Sequence, residues 1–271
     1  MPHTQLAAMA HQMRRKILDI SYACSLSTHL GGGLSIVDIT ATLYGAVLRY
    51  DRSNPLWEGR DRFILSKGHG VLGYFSALLA AGIISEEQFA SFQTNGSDLI
   101  AHPVMNLPLG IESSNGSLGH GLSLGVGLAL AARKKGQDHK VVVLLGDGEC
   151  NEGSVWEAIM AAAQLKLDRL VAVVDYNKLQ SDGDSRQIVD FGALSAKFAG
   201  FGWEARDVDG HAIPELHQAL STPSSEGRPL CIIAHTVKGK GISFMENNNE
   251  WHHARLTKAH YERALAELGE I

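Results

Sequence analysis

The sequence has few cysteines and no excess of basic residues, and both shortages exclude classes of protein. Its three cysteines, Cys24, Cys150 and Cys231, are odd in number, far apart and never spaced as CxxC. This pattern argues against a disulfide framework and a zinc site, and it fits a reducing cytoplasm. Lysine and arginine number 24 against 29 acidic residues, without a basic cluster. Nucleic acid is therefore not an expected partner.

Long apolar runs are also scarce. The first twenty residues, MPHTQLAAMAHQMRRKILDI, are amphipathic and lack the continuous apolar core of a signal peptide. No other run reaches the length of a membrane span, so we expect no membrane partner and a cytoplasmic location. The composition itself is that of a globular protein, with 45% hydrophobic and 20% charged residues in 271. We find no convincing linker and expect one domain over residues 1–271.

Helical and strand patterns alternate along the chain. This alternation predicts a doubly wound α/β fold, with a mainly parallel sheet and helices on both of its faces. The clearest unit is KVVVLLGDG, followed by NEGSVWEAIMAAAQLKL and DRLVAVVDYNKL. Two nearly all-aliphatic strands around an amphipathic helix predict a βαβ crossover with both strands internal. A helix over residues 4–24 opens the chain, and a helical tail closes it.

Local signals place several other element boundaries. Ser35 is a plausible N-cap for a second helix, and Ser85 with Gln88 has the spacing of a capping box. Further strands are predicted in DRFILSKGHG, WEARDVDG and PLCIIAHTVKG, with the helix IPELHQAL between the last two. The segment TPSSEGRP, residues 222–229, is predicted to be a surface loop between helix and strand.

The stretch LLGDGECNEG, residues 144–153, follows a buried strand with three glycines and three carboxylates. In open parallel sheets, ligands collect beyond the carboxyl ends of the strands. Asp147 and Asn177 end neighbouring strands of one βαβ unit, so we expect them to face the same crevice. An Asp carboxylate, an Asn amide oxygen and a main-chain carbonyl such as that of Leu179 are hard oxygen ligands. With two diphosphate oxygens and one water, they complete the shell of Mg²⁺, or a looser one for Ca²⁺.

The glycines of this turn have a second expected use. Gly146 and Gly148 let the backbone approach a diphosphate, and the following helix points its amino terminus at the anion. Glu149 is expected to start that helix, where a carboxylate favours the positive end of the dipole. A single GDG is usually only a turn. The full order of strand, GDG, helix and second strand ending in asparagine favours a diphosphate and metal site. The sequence has no competing Walker motif, and GLSLGVG fits helix packing better.

Taken together, these motifs resemble the transketolase family, and more narrowly its amino-terminal half. GDGECNEGSVWEA followed by VVDYNKLQSDG is similar to the family's thiamine diphosphate motif. The resemblance covers nearly all of the chain, in the family's order, through STHLGGGLS, DRFILSKGHG, LIAHP, NGSLGHGLSLGVGLALA and HTVKGKGISFMENNNEWHH. It implies a thiamine diphosphate-binding domain of the PP type, with thiamine diphosphate and Mg²⁺ or Ca²⁺ as cofactors.

The resemblance also implies roles for histidines. His29, His69, His102 and His252 match catalytic histidines that line the channel above the thiazolium, bind sugar hydroxyls and relay protons. His252 is preferred to its neighbour His253 because it directly follows the Trp of the motif, but the choice stays open. The loop around His29 lacks a proline common in relatives, so its position is less fixed. His120 stands near the site or caps a helix. The remaining histidines are expected to be surface or core residues: His3, His11, His139, His211, His217, His235 and His260.

The other residues that match the family lie around the cofactor. Gly116, Ser117 and Leu118 match a loop whose backbone meets the aminopyrimidine and thiazolium. Lys67 and Lys238 match lysines that approach the cofactor in one branch, although such lysines are often only solvated loop residues. Glu152 matches a glutamate at a subunit interface. The implied cofactor-binding set is Lys67, His69, Gly116, Ser117, Leu118, Gly146, Asp147, Gly148, Glu149, Asn177, Lys238 and His252.

The implied reaction is transfer of a two-carbon ketol unit from a ketose or ketose phosphate to an aldose or aldose phosphate. In the family, the glutamate that pairs with the aminopyrimidine and the residues that bind the distal phosphate lie in later domains. We therefore hypothesise one subunit of a split transketolase, active only in an α2β2 assembly with a separate carboxyl-terminal, pyrimidine-binding subunit. The sequence does not separate xylulose 5-phosphate from another phosphoketose or a sulfonated sugar.

Two alternatives stay open at the level of the sequence. The first is a subunit of another thiamine diphosphate enzyme, such as deoxyxylulose-phosphate synthase or a 2-oxoacid dehydrogenase. The second is a non-catalytic module that only binds the cofactor. The histidine-rich loops and NEWHH favour a transketolase over the first alternative.

Overall fold

The computed structural model describes residues 1–269, apart from the side chain of Glu226. Its centre is a sheet of five parallel strands, β1 to β5 in chain order. Their bounds are Arg62–Leu65, Val141–Gly146, Leu170–Tyr176, Glu204–Asp209 and Leu230–His235. The spatial order is β1-β2-β3-β5-β4, so β3 lies in the middle and β4 at an edge. The predicted parallel sheet is confirmed.

Eleven α-helices surround this sheet within the described residues. In chain order, α1 to α11 span His3–Ala23, Leu30–Leu34, Val37–Thr42, Val71–Ala80, Glu86–Ala90, Gly121–Lys134, Gly153–Gln164, Ser185–Ile188, Leu194–Gly200, Ile213–Ser221 and Lys258–Leu268. A π-helical turn, Leu43–Val47, follows α3. The predicted opening helix, crossover helix and closing helix are confirmed.

Alternate strand residues point into two separate apolar cores, because successive side chains of a strand face opposite sides of the sheet. Val142 and Leu144 of β2 pack with α1, α3, α4 and α10. Val143 and Leu145 of the same strand pack with α6, α7 and α9. Helices therefore cover both faces, as the doubly wound fold requires, and β2 and β3 are internal as the aliphatic runs predict.

Two short pairings lie outside the main sheet. Ser27–Thr28 pairs antiparallel with Ala254–Arg255, which joins the segment after α1 to the segment before α11. Leu179–Gln180 pairs with Gly183–Asp184 in a small hairpin after β3. One strand of the first pairing follows β5 in the chain, and both strands of the second follow β3.

Ser35 is not an N-cap, so that prediction is wrong. The chain is already helical at Leu30–Leu34, and Ile36 precedes α3 without a side-chain cap. The Ser35 hydroxyl instead donates to the carbonyl of Gly32 and, at 2.7 Å, to Asp175 Oδ2. By contrast, the capping box at the start of α5 is present, with Ser85 and Gln88 each bonded to the other's backbone. Residues 222–229 form the predicted connection between α10 and β5, with one 3₁₀ turn.

One apolar stretch is longer than expected. Leu30–Val47 is long and apolar enough to span a membrane, with a mean hydropathy of 1.3, so the expectation of no such run is wrong. However, 83% of this stretch is buried inside the fold. It runs through α2, α3 and the π-helical turn, where it packs against α1 and α4. This burial is what a core segment of a globular domain shows.

Candidate active site

A cavity of about 250 Å³ lies where β2 and β3 end. Asp147 directly follows β2, and Asn177 directly follows β3, which pairs in register with β2. Both residues line the cavity. Because parallel neighbours end at the same edge of a sheet, their adjacency follows from the βαβ order. The predicted common crevice is confirmed.

Asp147 is the carboxylate of this corner, and its charge is poorly compensated. The side chain is 5% exposed, and within residues 1–269 its Oδ2 has no hydrogen-bond partner. Burial, with the neighbouring Asp175 charge, raises the pKa of Asp147 to about 6. A buried carboxylate oxygen without a partner is costly unless a proton or a cation satisfies it. The side chain is therefore suited to a metal ion.

The other two predicted metal ligands lie beside Asp147. Asn177 Nδ2 donates to Asp175 Oδ2 over 2.8 Å, and its Oδ1 accepts from the Leu179 N–H over 3.0 Å. These bonds fix the amide plane, while Oδ1 keeps a second lone pair. In the described part of the chain, no three His, Cys, Asp or Glu side chains converge as metal ligands. One carboxylate, one amide oxygen and the Leu179 carbonyl fit Mg²⁺, which retains water and phosphate ligands.

The two glycines of GDG differ in what they require. A Cβ on Gly148 would lie 2.7 Å from Gln180 Oε1 and 2.8 Å from Gln180 Cβ, so Gly148 permits close packing of the turn on the hairpin. A Cβ on Gly146 would make only ordinary contacts, the nearest at 3.6 Å from Lys67. Both glycines line the cavity. Their approach to a diphosphate stays a prediction.

Glu149 does not start the crossover helix, so that part of its predicted role is wrong. It lies in a 3₁₀ turn, Gly148–Asn151, and α7 begins only at Gly153. Its carboxylate is buried and accepts from the N–H of Gly119 at 2.8 Å, from that of Gly146 at 3.0 Å, and from the Ser66 hydroxyl. Burial raises the pKa of Glu149 in spite of these bonds. The residue therefore joins three loops of the site.

Asp175, near the end of β3, is a residue that the sequence reasoning missed. It is fully buried and accepts from Ser35, Asn177, Thr236 and the Lys67 ammonium. Burial alone would raise the pKa of Asp175, but the Lys67 charge and these donors outweigh it and lower the pKa. The available signal was a charged residue inside the apolar run VAVVDY.

Lys67 lines the cavity, and its charge is already paired, while its predicted approach to a cofactor stays a prediction. Its side chain is 1% exposed, and its ammonium contacts Asp175 and donates to the Gly32 carbonyl over 3.1 Å. The ammonium is therefore held in place beneath the cavity. This pairing excludes the alternative of a solvated loop lysine.

The four predicted histidines come together around the cavity, although they are far apart in the sequence. The ring centre of His29 lies 5.4 Å from that of His69, 5.9 Å from that of His102 and 5.6 Å from that of His252. All four line the cavity. His253 stands 4.5 Å from His29 but is exposed and outside the lining residues. The geometry thus favours His252 over His253.

Each of these four imidazoles is neutral near pH 7. Burial, followed by the nearby His253, lowers the pKa of His29 to about 3. Burial also lowers the pKa of His252 to about 4, that of His69 well below its usual value, and that of His102. A neutral imidazole has one N–H donor and one acceptor nitrogen. The cluster can therefore donate hydrogen bonds to hydroxyl groups, accept hydrogen bonds from them, and transfer protons between them.

Lys238 lies behind His252. Its Nζ is 2.7 Å from His252 Nδ1, 3.0 Å from Asn249 Oδ1 and 3.4 Å from the Leu179 carbonyl oxygen. Burial, with the Lys67 charge, lowers the pKa of Lys238 to about 8. Because an ammonium only donates, His252 Nδ1 accepts and the proton of the neutral ring is on Nε2. Lys238 thus fixes the tautomer of His252 without lining the cavity.

The remaining predicted residues divide between the cavity and the surface. Gly116 and Leu118 line the cavity, whereas Ser117 is exposed outside it. Glu152 is exposed at the start of α7, which is compatible with an intersubunit contact but does not test it. His120 precedes α6, yet its side chain makes no capping bond and does not line the cavity. Neither expected role of His120 is supported.

Two further residues of the site lie within the motif VVDYNKLQSDG but were not singled out in the sequence analysis. Gln180 and Ser181 follow Asn177 closely and line the cavity. Gln180 Nε2 is buried and lacks a hydrogen-bond partner in the part of the chain that the structure describes. An unsatisfied N–H donor of this kind suits an anionic oxygen. Their position in that motif, shortly after Asn177, was the available signal.

Known proteins are similar to the chain over almost its whole length. Residues 7–270 match the family described as transketolase, thiamine diphosphate binding domain. An apulose-4-phosphate transketolase subunit of Actinobacillus succinogenes is 41% identical over 266 residues, which cover 98% of this chain and 96% of that protein. The 6-deoxy-6-sulfo-D-fructose transketolase subunit SqwG of Clostridium sp. (strain MSTE9) is 39% identical, covering 89% and 88% of the two chains.

A solved structure agrees with these sequence relatives. The transketolase from Leishmania mexicana superposes with a TM-score of 0.88 at 28% identity, covering 97% of this chain and 41% of that one. The chain thus spans less than half of that transketolase but nearly all of the Actinobacillus protein. The names of these relatives agree with a transketolase and not with the alternatives of a deoxyxylulose-phosphate synthase, a 2-oxoacid dehydrogenase or a non-catalytic module.

Proposed function

Because this chain belongs to the transketolase family, as the thiamine diphosphate-binding subunit of a two-subunit transketolase, we propose that it transfers a two-carbon ketol unit only together with a pyrimidine-binding subunit. The observation that carries this proposal is one cavity shared by the Asp147 and Asn177 corner and four neutral histidines. The corner suits a metal-bound diphosphate, and the histidines suit a polyhydroxylated substrate. The enzyme is a transferase.

The metal and cofactor would be held by the residues of the corner. We propose Mg²⁺ on the Asp147 carboxylate, the Asn177 amide oxygen and the Leu179 carbonyl, since a cation would satisfy the orphaned Asp147 oxygen. Ca²⁺ is the second candidate ion. Gln180 Nε2 would donate to an oxygen of the diphosphate. Thiamine diphosphate, when bound, supplies the electron sink for cleaving a carbon–carbon bond.

The histidines would handle the substrate's hydroxyl groups and protons. Neutral His29, His69 and His102 can each accept from one hydroxyl and donate to another. His252, with its Nδ1 occupied by Lys238, offers Nε2–H as a donor. As a sugar hydroxyl loses or gains its proton, a neighbouring imidazole takes or returns it. Burial keeps these rings free of charge at neutral pH, so His29, His69 and His102 can each act as a proton acceptor, whereas His252 acts as a donor.

The substrate is proposed by class. The cavity is lined by neutral imidazoles, and no arginine of residues 1–269 is among its lining residues. Among those described residues, the paired Lys67 is the one lysine that lines it. An anionic end group of a sugar therefore has no free cationic partner here, and we assign its recognition to the second subunit. The relatives are named for apulose 4-phosphate and 6-deoxy-6-sulfo-D-fructose, and we propose a ketose with a terminal phosphate or sulfonate as donor.

We further propose an α2β2 assembly located in the cytoplasm. The Actinobacillus relative is named as one subunit of its transketolase, and 96% of its length is matched, which supports a separate second subunit. The exposed Glu152 at the start of α7 is the residue proposed to face it. Cysteine usage supports the location, since the three cysteines have free thiols.

Reconstitution tests the proposal. The chain, its pyrimidine-binding partner and the complex of both would be assayed separately with thiamine diphosphate, Mg²⁺ and a panel of ketose phosphates, sulfonated ketoses and aldoses. Ketol transfer is expected only from the complex and from neither subunit by itself. Asp147→Asn in the complex should weaken binding of the cofactor. Ketol transfer by the isolated chain would reject the requirement for a partner. A complex that binds the cofactor but converts no sugar pair would favour a binding module, and native mass measures the stoichiometry.

A further inference from the structure

A charged cluster, Arg14, Asp38 and His211, lies outside the cavity and has no role in the chemistry above. Arg14 of α1 donates twice to Asp38 of α3, from Nη1 over 3.1 Å and from Nη2. His211, which precedes α10, places Nδ1 2.8 Å from Asp38 Oδ2. Arg14 is 9% exposed and Asp38 is 5% exposed. Three segments far apart in the sequence therefore meet at one buried carboxylate.

The cluster also binds the backbone of the segment after β5. The N–H of Val237 donates to His211 Nε2 over 2.8 Å. Arg14 Nε donates to the carbonyl of Lys240 over 3.2 Å. Since Nε2 accepts, the neutral ring has its proton on Nδ1 and donates it to Asp38. Both ends of residues 237–240 are thus fastened to the same cluster.

Residues 237–240 have little freedom to shift. Gly239 has a φ of +79°, and a Cβ there would lie 2.3 Å from the Met245 carbonyl oxygen. Its N–H donates to the Gly31 carbonyl over 3.0 Å, and the Lys238 carbonyl accepts from the Asn247 N–H over 2.9 Å. The backbone of this segment is therefore bonded to two other parts of the chain, at Gly31 and Asn247.

This segment carries the lysine that fixes His252. Lys238 lies one residue from Val237 and two from Lys240, and its Nζ is 2.7 Å from His252 Nδ1. A displacement of the segment by about 1 Å would lengthen that contact beyond a hydrogen bond. His252 would then lose the partner that selects its tautomer, because the other nitrogen could take the proton.

We propose that Arg14, Asp38 and His211 are positioning residues, which hold residues 237–240 so that Lys238 stays bonded to His252. The effect of this cluster on catalysis rests on the proposed function. Its role in holding residues 237–240 in place does not. A buried ion pair by itself is weak support for stability, because desolvation offsets the attraction. The bonds from the cluster to the backbone of Val237 and Lys240 indicate that it positions this segment.

Hydrogen exchange of the reconstituted complex tests the holding step. His211→Ala removes the acceptor for the Val237 N–H, so a peptide over residues 236–242 should exchange about tenfold faster, as expected for one lost hydrogen bond. Arg14→Lys, a milder change, keeps the positive charge but loses the Nε bond to Lys240, and it should loosen the same peptide. His217→Ala is the matched control, because that histidine bonds only to His3 among described residues. Unchanged exchange in both cluster variants would overturn the proposal.

Kinetics of the same complexes test the positioning step. In His211→Ala, kcat/KM for the donor sugar should fall about tenfold or more, since small misplacements at a site cost that much. The affinity for thiamine diphosphate with Mg²⁺ should change far less, because Asp147 and Asn177 are untouched. A looser segment with unchanged kcat/KM would reject the positioning role. A wild-type complex without any ketol transfer would count against the proposed function, and the exchange data would still decide whether the cluster holds the segment.

Discussion

Three buried carboxylates of the site have pKa values shifted in different directions, because their hydrogen-bond and ionic partners differ. Asp175 receives an ammonium and three neutral donors, which keep its pKa low in spite of complete burial. Glu149 receives two backbone N–H groups and a hydroxyl, and burial still raises its pKa. Asp147 has an oxygen without a partner in residues 1–269, and its pKa is raised to about 6. Asp147, the carboxylate with an unpartnered oxygen, is therefore the one at which a cation is proposed.

The neighbouring histidines allow a direct test at the same scale. We predict that His252→Ala in the complex lowers kcat/KM about a hundredfold or more, in the range of general acid–base groups. His253→Ala should cost less than about tenfold, because that ring is exposed and does not line the cavity. Steady-state ketol-transfer rates for the two variants measure the difference. Equal losses would contradict the assignment of His252.

Among the elements, α6 shows how small residues set the distance between a helix and the sheet. Gly125 faces the sheet, and a Cβ there would lie 2.5 Å from Val143 Cγ2 of β2. Gly127, two residues on, points outward with nothing within 4 Å of a Cβ. The pattern GLSLGVGLALAA is thus explained as close packing on one face, as the sequence predicts.

Matched alanine substitutions test this packing. Gly125→Ala should lower the free energy of unfolding by about 1–3 kcal/mol, since the added methyl group overpacks a buried contact. Gly127→Ala should leave it unchanged or raise it by up to about 1 kcal/mol, because alanine favours the helix more than glycine. Urea unfolding of the chain measures both values. A loss in Gly127→Ala as large as in Gly125→Ala would show that helix geometry, not the contact with Val143, is responsible.

The histidine cluster has a consequence for the whole molecule, because stability depends on how many protons each state binds. In the folded chain, His29 has a pKa of about 3 and His252 of about 4, below the ordinary value of 6.5. As the pH falls below 6.5, the unfolded chain takes up protons that the folded chain does not. Stability is therefore fully present above pH 6.5 and is lost progressively as the pH falls toward 4. Asp147, whose pKa is raised to about 6, has the opposite sign and offsets part of this loss.

We predict that the melting temperature of the cofactor-free chain falls between about pH 7 and pH 5, the range in which an ordinary histidine takes up its proton. His29→Gln should make that fall shallower, since it removes one imidazole that takes up its proton in the unfolded chain but not in the folded chain. His3→Gln, which changes an exposed ring outside the cavity, is the control and should leave the slope unchanged. A slope that His29→Gln does not alter would contradict the burial of a neutral ring.

The sequence by itself determined the order of the elements and the corner of the site. Apolar periodicity placed β2, α7 and β3, and parallel strands that follow one another in a crossover end side by side. Asp147 and Asn177 therefore share a cavity, as their positions after those strands predicted. The predictions for Ser35 and Glu149 were wrong. Ser35 does not cap a helix but bonds to the buried Asp175, and Glu149 does not start α7 but accepts from Ser66 and Gly119.

Only the tertiary structure decided which distant residues complete the site. Lys67 and Asp175 are 108 residues apart in the sequence. The bond between Val237 and His211 joins the loop after β5 to a loop that precedes β5 in the chain. Such contacts leave no local pattern, because they depend on how several loops approach one another at the end of the sheet. Burial and neighbouring charges set the pKa of a buried group, and both depend on how these loops pack. The pKa values of Asp147 and the four histidines therefore cannot be read from the sequence motifs.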